Sequence, residues 1–401
     1  MKLSKEDRYI RRRLRQARKQ AREFYYCRKY PINPKKIVFT TIEGTTGFSC
    51  NPKYIALELL RRRQDLDLVW LVDDMSKGFP PGIRKVKNTL KNRAYELSTA
   101  AVWVDNSRKQ LECRKRPGQF YIQTWHASIA IKPIGLQRGA SFSRMARLVT
   151  EHDSRMIDLL VTNSKWVEDH AALGMLYGGK MLRTGSARVD VLINDREKLR
   201  KSFRKKYGLE EDTKLVMYAP TFRSGSQGTA RNPKLQNHMP DFDTLIKALE
   251  KKFCGSWKVV LRLHPQLTAR KITTGETNNN NYLIIDASKE DDMCEVLGAA
   301  DVLVTDYSAM AFDAAYINMP VFLYVYDLND YTKERGSLMW DLQTLPFPYG
   351  ENMDDLVRRI ELFDNDKYSE TVAELFNELE VKEDGNASRD IVNVIENRMG
   401  I

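Results

Sequence analysis

From residue 36 onward, short apolar runs alternate with segments of helical periodicity, and this alternation constrains the fold most strongly. The runs lie at residues 37–41, 66–72, 100–104, 120–124, 159–162, 214–218, 258–263, 282–286, 302–304 and 321–326. Apolar strands joined by helices are typical of parallel sheets that are covered on both faces. The sequence therefore predicts an α/β fold of two successive halves, with a boundary in the charged helical run at residues 189–204.

The stretch at residues 301–316 is the clearest unit of this kind, with a strand at 302–304, a polar turn and a helix beginning near Ser308. A turn that opens a helix presents free backbone N–H groups and the positive end of the helix dipole, which suit a phosphate. Thr305, Tyr307 and Ser308 would add hydroxyl donors, and Asp306 would be an acceptor. The alternative is an ordinary strand–helix turn in which Ser308 only caps the helix.

Five polar or glycine-containing segments follow predicted strands. They lie at residues 43–48, 125–126, 219–223, 264–265 and 305–308. Ligands of open α/β sheets bind outside the carboxyl ends of the strands. Because two segments belong to the first half and three to the second, we expect a site in a cleft between the halves.

Two histidines follow strands in a chain that has only five histidines. The imidazole of His126, next to Trp125, could accept a proton from a hydroxyl group near neutral pH. His264, with Arg223 at the neighbouring strand end, could neutralise a pyrophosphate. The alternatives are a His126 satisfied by backbone groups and a His264 that belongs to a surface pair. No His/Asp spacing indicates a metal site.

The net charge of +12 is concentrated at the N-terminus. Residues 1–30 contain twelve Lys or Arg and three Asp or Glu, so nine of the twelve net charges lie there. Residues 5–26 have a thin apolar stripe at helical spacing: Ile10, Leu14, Ala17, Ala21 and Phe24. We predict a basic helix on an anionic membrane surface, with Tyr25 and Tyr26 at the headgroups. The alternatives are a helix docked on its own domain and, less favoured, a nucleic-acid-binding helix.

Other patterns exclude several classes of protein. The chain has no G-x-G-x-x-G fingerprint and no apolar run of the roughly 18 residues that a membrane span needs. Its five cysteines are scattered and form no C-x-x-C pair, which argues against a disulfide framework and a structural zinc site. These patterns favour a cytoplasmic protein.

Six segments in order resemble the serial motifs of the CDP-glycerol glycerophosphotransferase family of teichoic-acid and capsule enzymes. They are Gln-Thr-Trp-His-Ala-Ser at 123–128 with Lys-Pro-Ile-Gly at 132–135, Val-Thr-Asn-Ser at 161–164, Tyr-Ala-Pro-Thr-Phe-Arg at 218–223, Arg-Leu-His-Pro at 262–265 and Val-Thr-Asp-Tyr-Ser at 304–308. Asn-Pro-Lys-Tyr-Ile at 51–55 also resembles the first helix of the family. The resemblance covers about residues 37 to 345.

The resemblance implies two Rossmann-like domains facing across a cleft, the GT-B arrangement. The expected parts are a membrane-surface helix at 1–35, an acceptor domain at 36–192 and a CDP-donor domain at 193–401. The implied reaction transfers a glycerol-phosphate or related alditol-phosphate unit from a CDP-alditol to a lipid-linked saccharide or polymer at the inner face of the membrane. No metal or cofactor is expected.

The motif match assigns roles to individual residues. His126 would deprotonate the acceptor hydroxyl, and His264 would contact the donor pyrophosphate and stabilise the leaving CMP. The donor side would be formed by Arg223, Arg262, Thr305, Asp306, Tyr307 and Ser308. The acceptor side would be formed by Glu43, Trp125, Ser128 and Lys132.

Two positions depart from the family pattern. Ala127 stands where the family usually has Gly, and Ala309 stands where it usually has a second serine. The first could alter the backbone approach to the acceptor, and the second removes a phosphate donor. A CDP-ribitol ribitolphosphotransferase, a nucleotide-sugar glycosyltransferase and a non-catalytic membrane scaffold remain alternatives. The short basic helix favours priming or short transfer over long-chain polymerisation.

Overall fold

Two compact units, each built on one parallel sheet, make up the chain. The computed structural model describes residues 4–221, 239–263 and 284–401. The first unit contains residues 4–128, Ile134–Asp190 and Val381–Ile401, and the second contains the described residues of Ile129–Pro133 and Val191–Glu380. The predicted α/β class with parallel strands is confirmed. The sequence pattern assigned residues 129–133 to the first half and 381–401 to the second, whereas each segment groups with the other unit.

The first sheet has seven parallel strands in the order β3-β2-β1-β4-β5-β6-β7. Their bounds are Asn33–Thr40 (β1), Asp67–Val72 (β2), Ile83–Lys87 (β3), Ala100–Asp105 (β4), Phe120–Gln123 (β5), Leu159–Thr162 (β6) and Met181–Arg183 (β7). The central strands are buried on both faces, as their continuous apolar runs predict.

The helices of this unit follow the strands along the chain. They are Lys5–Cys27 (α1), Cys50–Arg62 (α2), Leu90–Thr99 (α3), Arg144–Ser154 (α4), the short Ala172–Gly174 (α5) after a π-helical turn at Val167–Ala171, Ala187–Asn194 (α6), which continues into the second unit, and the last helix, Ala387–Met399 (α14). Side-chain caps begin several of them. Ser4 accepts from the Asp7 N–H and Thr89 from the Asn92 N–H.

The second sheet has six described strands in the order β10-β9-β8-β11-β12-β13, all parallel. Their bounds are Lys214–Ala219 (β8), Trp257–Leu261 (β9), Ile284–Asp286 (β10), Val302–Thr305 (β11), Val321–Tyr324 (β12) and Tyr349–Gly350 (β13). The described helices are Arg196–Tyr207 (α7), Phe242–Phe253 (α8), Met293–Ala299 (α9), Met310–Ala315 (α10), Leu328–Arg335 (α11), Met353–Glu361 (α12) and Asn365–Glu378 (α13). Helix α8 is typical, since Asp241 caps it and its buried residues recur at helical spacing.

The basic helix α1 packs on its own unit. Its buried residues are Ile10, Ala17, Ala21, Phe24 and Cys27, and it lies against α3. Of the predicted apolar stripe, only Leu14 is not fully buried, so the stripe packs against the protein, as in the alternative of a helix docked on its own domain. Binding of this helix to a membrane surface stays a prediction. The arginines and the rings of Tyr25 and Tyr26 remain exposed, at 51% and 62% for the tyrosines.

Within the described ranges, no helix is both long and apolar enough to cross a lipid bilayer. None of the five cysteines, all of which lie in the described ranges, forms a disulfide.

Candidate functional site at the strand ends of the first unit

Three loops meet at the carboxyl edge of the first sheet, after β1, β4 and β5. The backbone N–H of Ile42 donates to Asn106 Oδ1 at 2.8 Å, and that of Glu43 donates to Ser107 Oγ at 2.9 Å. Ile42 and Glu43 both have positive φ, at 43° and 58°. Such angles strain residues other than glycine, so the polar groups of the neighbouring loop hold this turn in place.

His126 follows β5 at this edge and is half-buried. Its Nδ1 lies 2.6 Å from the backbone oxygen of Asn106. A carbonyl oxygen can only accept, so Nδ1 carries the hydrogen and the lone pair of the neutral ring is on Nε2. The backbone therefore fixes the tautomer in which Nε2 is the nitrogen that can take a proton.

The backbone on either side of His126 is fixed by two buried side chains that the sequence did not single out. Asn51 Nδ2 donates to the carbonyls of Thr124 and Trp125, at 3.2 and 3.0 Å, and its Oδ1 accepts from the Arg188 N–H at 3.0 Å. The Arg188 guanidinium donates to the His126 carbonyl. These bonds tie the start of α2, the end of β5 and the start of α6 together.

The Trp125 ring contacts both the His126 imidazole and the Arg108 guanidinium. Its φ is +50°, and its ring centroid lies 4.4 Å from that of His126. The Arg108 guanidinium carbon lies 4.8 Å from the Trp125 ring centroid. The indole therefore contacts both groups, and its predicted role on the acceptor side stays a prediction.

A buried charge network supports the loop that bears Asn106. Lys109 forms an ion pair with Asp105, and its backbone N–H donates to Asp153 Oδ1 at 3.0 Å. The Tyr121 hydroxyl donates to the same oxygen at 3.0 Å. Loss of hydration raises the pKa of Asp153 to about 7, and the charge of Asp105 adds to the rise.

The other predicted acceptor-side residues are distributed over both units. Desolvation raises the pKa of the Glu43 carboxyl group, and Asp105 raises it further. Ser128 is buried and ends the first segment of the first unit. Lys132 groups with the second unit, where the Ile131 carbonyl accepts from Met339 and the Ala130 carbonyl from Trp340.

At the strand ends of the second unit, three predicted donor-side residues have structural partners. The Thr305 hydroxyl donates to the Ala219 carbonyl at 2.6 Å, and Asp306 accepts from the backbone and hydroxyl of Thr221. Tyr307 is fully buried and donates to Asp327 Oδ1 at 3.1 Å. The hydrogens of the Thr305 and Tyr307 hydroxyls are thus directed to acceptors within the protein. Their roles toward the donor phosphates stay predictions.

Ser308 and Arg262 complete the described part of this edge. Ser308 is half-buried and its Oγ accepts from the Met310 N–H at 3.3 Å, close to the start of α10. Arg262 Nη1 donates to the carbonyls of Ala287 and Glu290, so this nitrogen holds the loop after β10. Desolvation lowers the pKa of the Arg262 guanidinium.

Arg223 and His264 lie outside the described residues, so their roles remain predictions. Among the residues that are described, no group of three or more His, Cys, Asp or Glu side chains is arranged to hold a metal ion.

Sequence reasoning located His126 and Trp125 but missed Asn51, Asn106, Arg108 and Arg188. A signal for Asn106 was present, since the polar residues 105–107 directly follow an apolar strand. Asn51 lay within a segment already compared with the family. For Arg108 and Arg188, the contacts depend on chain segments that are distant in sequence.

The sequence of the chain is similar to those of several known proteins. The family model described as CDP-Glycerol:Poly(glycerophosphate) glycerophosphotransferase matches residues 23–397. A teichoic acid poly(glycerol phosphate) polymerase of Bacillus spizizenii is 27% identical, over 90% of this chain and 92% of that protein. One of the same description from Staphylococcus epidermidis is 28% identical over 91% of this chain, which spans only 51% of that relative.

The fold also matches a solved structure. A variant of the wall teichoic acid polymerase TagF superposes with a TM-score of 0.79 at 23% identity, covering 99% of both chains. At this level of identity, the match shows a shared fold.

Proposed function

Because the chain belongs to the CDP-glycerol:poly(glycerophosphate) glycerophosphotransferase family, we propose that it transfers a glycerol-phosphate unit from CDP-glycerol to a hydroxyl group of a membrane-linked acceptor. The products are CMP and an acceptor extended by one glycerol-phosphate unit. Teichoic-acid or capsule-type polymer synthesis is the setting that this reaction fits, as priming or short transfer.

The proposed chemistry is an in-line displacement at phosphorus. His126 Nε2 takes the proton of the acceptor hydroxyl, the oxygen attacks the β-phosphorus of the donor, and the bond to the CMP oxygen breaks. Catalysis of such transfers depends mainly on positioning and on stabilisation of negative charge. His264 and Arg223 are proposed for the donor phosphates from the motif match alone, as they lie outside the described residues.

One observation carries the proposal: the bond between His126 Nδ1 and the Asn106 carbonyl at 2.6 Å. It makes Nε2 the basic nitrogen at the edge of the sheet where ligands of such folds bind. The buried bonds of Asn51 and Arg188 to the adjacent backbone support it, since a base must be held within hydrogen-bonding reach of its substrate.

A donor screen tests this function. The protein is incubated with acceptor-bearing membranes and CDP-glycerol, CDP-ribitol, a UDP-sugar or a GDP-sugar, and the released nucleotide is quantified together with the labelled product. We expect CMP release from CDP-glycerol in equal amount to transferred glycerol phosphate. Preferential use of CDP-ribitol would show that the transferred alditol is ribitol. Release of UDP or GDP together with sugar transfer would show that the protein is a glycosyltransferase and would refute the proposal.

The exposed basic face of α1 is proposed to keep the protein at the cytoplasmic face of the membrane, next to its acceptor. Arginines near an anionic surface contribute about 1 kcal/mol each to attraction. This contact would rely on charge and on the exposed rings of Tyr25 and Tyr26, because the apolar stripe of α1 is buried.

A further inference from the structure

We propose that Arg108 binds a phosphate oxygen of the acceptor, so that the site selects acceptors whose terminal hydroxyl lies next to a phosphate group. The inference rests on the proposed function, in which His126 deprotonates that hydroxyl. Of the two modes proposed there, it selects short transfer to an end that already carries glycerol phosphate over priming of a neutral saccharide. It adds an anion-binding residue to the acceptor side, where the sequence predicted only Glu43, Trp125, Ser128 and Lys132.

The Arg108 guanidinium has no hydrogen-bond acceptor among the described residues. Its Nε and Nη2 atoms are buried and make no hydrogen bond within that part of the chain. Nη2 also lies close to Gly135, where the Cβ of any larger residue would lie 3.3 Å from it. A guanidinium with five N–H donors and two buried, unpaired nitrogens is poorly hydrated. Such a planar cation gains most from an anion that accepts two parallel hydrogen bonds, as two oxygens of a phosphate can.

The charges around Arg108 also leave room for an anion. Burial lowers the pKa of the Arg108 guanidinium, and the positive charge of Arg138 lowers it further, while Asp153 and Glu43 act in the opposite direction. The pKa of Asp153 is raised to about 7, so this carboxyl group is only partly ionised near neutral pH. The positive charge of Arg108 is therefore not fully compensated within the unit.

Arg108 also lies close to the proposed base. Arg108 and His126 both contact the Trp125 ring, at 4.8 and 4.4 Å from its centroid. The guanidinium and the imidazole are thus neighbours of the same indole ring, and an anion held by Arg108 would lie near the imidazole. A glycerol-phosphate terminus has this pairing, with a free hydroxyl group separated from a phosphate by its short carbon chain.

The test compares acceptors with and without that phosphate. Transfer from CDP-glycerol is measured for Arg108→Gln and Arg108→Lys with two membrane acceptors, one ending in glycerol phosphate and one ending in a neutral saccharide. We expect Arg108→Gln to raise the KM for the phosphate-bearing acceptor about 10- to 100-fold, as for loss of a charge-assisted hydrogen bond. The donor KM and the KM for the neutral acceptor should stay within about twofold of wild type. Arg108→Lys should give an intermediate KM because it keeps the charge but not the planar fork.

Arg155→Gln is the matched control, since Arg155 is an exposed arginine of the same unit, and it should leave all constants unchanged. Equal losses with both acceptors, or a rise in the donor KM, would overturn the proposal. If Arg108→Gln does not fold, as judged by thermal unfolding, Arg108→Lys carries the same comparison.

A binding measurement separates this inference from the proposed function. Should the wild type transfer nothing from any CDP-alditol, calorimetric titration with glycerol 3-phosphate still decides the role of Arg108. Weaker binding by Arg108→Gln or Arg108→Lys than by Arg155→Gln would support the anion site, and equal binding by all three would refute it.

Discussion

At the scale of single residues, His126 is oriented by a backbone carbonyl. In many enzymes that use a histidine base, a carboxylate orients the ring and also stabilises its charged form. The Asn106 carbonyl fixes the tautomer but carries no full negative charge. Asn106 is itself held because its Oδ1 accepts a hydrogen bond from the Ile42 N–H. The position of the base therefore depends on the loops after β1 and β4 as much as on its own strand.

Tyr307 provides a residue-scale prediction. Because its ring is fully buried and its hydroxyl donates to Asp327, Tyr307→Phe should lower the free energy of unfolding by about 0.5–1.5 kcal/mol. The KM for CDP-glycerol should not change. Denaturant unfolding and steady-state kinetics check both parts, with Tyr326→Phe as a control in the same unit. A large rise in the donor KM without loss of stability would show that Tyr307 serves the ligand after all.

The sequence was sufficient to predict which residue types follow the strands, but not which groups they form hydrogen bonds with. It placed His126 correctly at a strand end because the apolar run before it is distinct. The sequence could not show that the Thr305 hydroxyl donates to the Ala219 carbonyl, because Ala219 belongs to another strand and lies 86 positions away along the chain. The same reason hid Asn106, whose carbonyl reaches His126 only once β4 and β5 pair.

At the scale of secondary-structure elements, the sequence predicted the central strands and missed three edge strands. The buried strands have continuous apolar runs, whereas β3 (Ile83–Lys87) has two apolar and three charged residues in an irregular order. β7 and β13 have three and two residues, too few for any period to be detected. Such short strands form by pairing with a neighbouring strand. Their own residues therefore carry no sequence pattern that predicts them.

The buried network between β4, β5 and α4 gives a prediction on pH dependence. The pKa of Asp153 is raised from 3.8 to about 7, so between these values the folded protein holds a proton that the unfolded chain releases. Stability should therefore fall as the pH rises from about 4 to 7, by an amount of order 2–4 kcal/mol from this group.

Asp153→Asn keeps the acceptor for Lys109 and Tyr121 but cannot ionise. Relative to wild type, this variant should therefore gain stability as the pH rises from 5 to 8, measured by urea unfolding at each pH. The exposed Asp169→Asn is the control and should follow the wild-type profile. Parallel profiles for Asp153→Asn and wild type would show that Asp153 ionises normally in the folded state.

At the scale of the whole molecule, the basic helix α1 combines a buried apolar side with an exposed cationic side. Its arginines Arg11, Arg12, Arg15 and Arg18 are exposed, and the helix is anchored through Phe24 and Cys27 in the core. The charge pattern could be predicted from the sequence. The sequence could not show whether protein or lipid covers the apolar stripe, because a thin stripe of this kind can pack on either surface.

Vesicle binding tests the membrane role. Changing Arg11, Arg12, Arg15 and Arg18 to Gln should abolish co-sedimentation with anionic vesicles at about 0.1 M salt, because each cation contributes about 1 kcal/mol. The control changes four exposed lysines of the second unit, Lys198, Lys201, Lys205 and Lys247, to Gln. It removes the same net charge and should bind as wild type does. Equal loss in both variants would indicate a general charge effect with no role for α1.

The measurement that bears most directly on the whole account is transfer of labelled glycerol phosphate by His126→Ala and His126→Asn, compared with wild type at saturating CDP-glycerol and acceptor. Thermal unfolding is recorded in parallel, and His170→Asn, a half-buried histidine of the same unit, serves as the control. Removal of a general base costs about 10²–10⁴-fold in rate. We predict a loss of kcat of this size in both His126 variants, with the fold retained and His170→Asn active. Near-normal transfer by folded His126→Ala would contradict it.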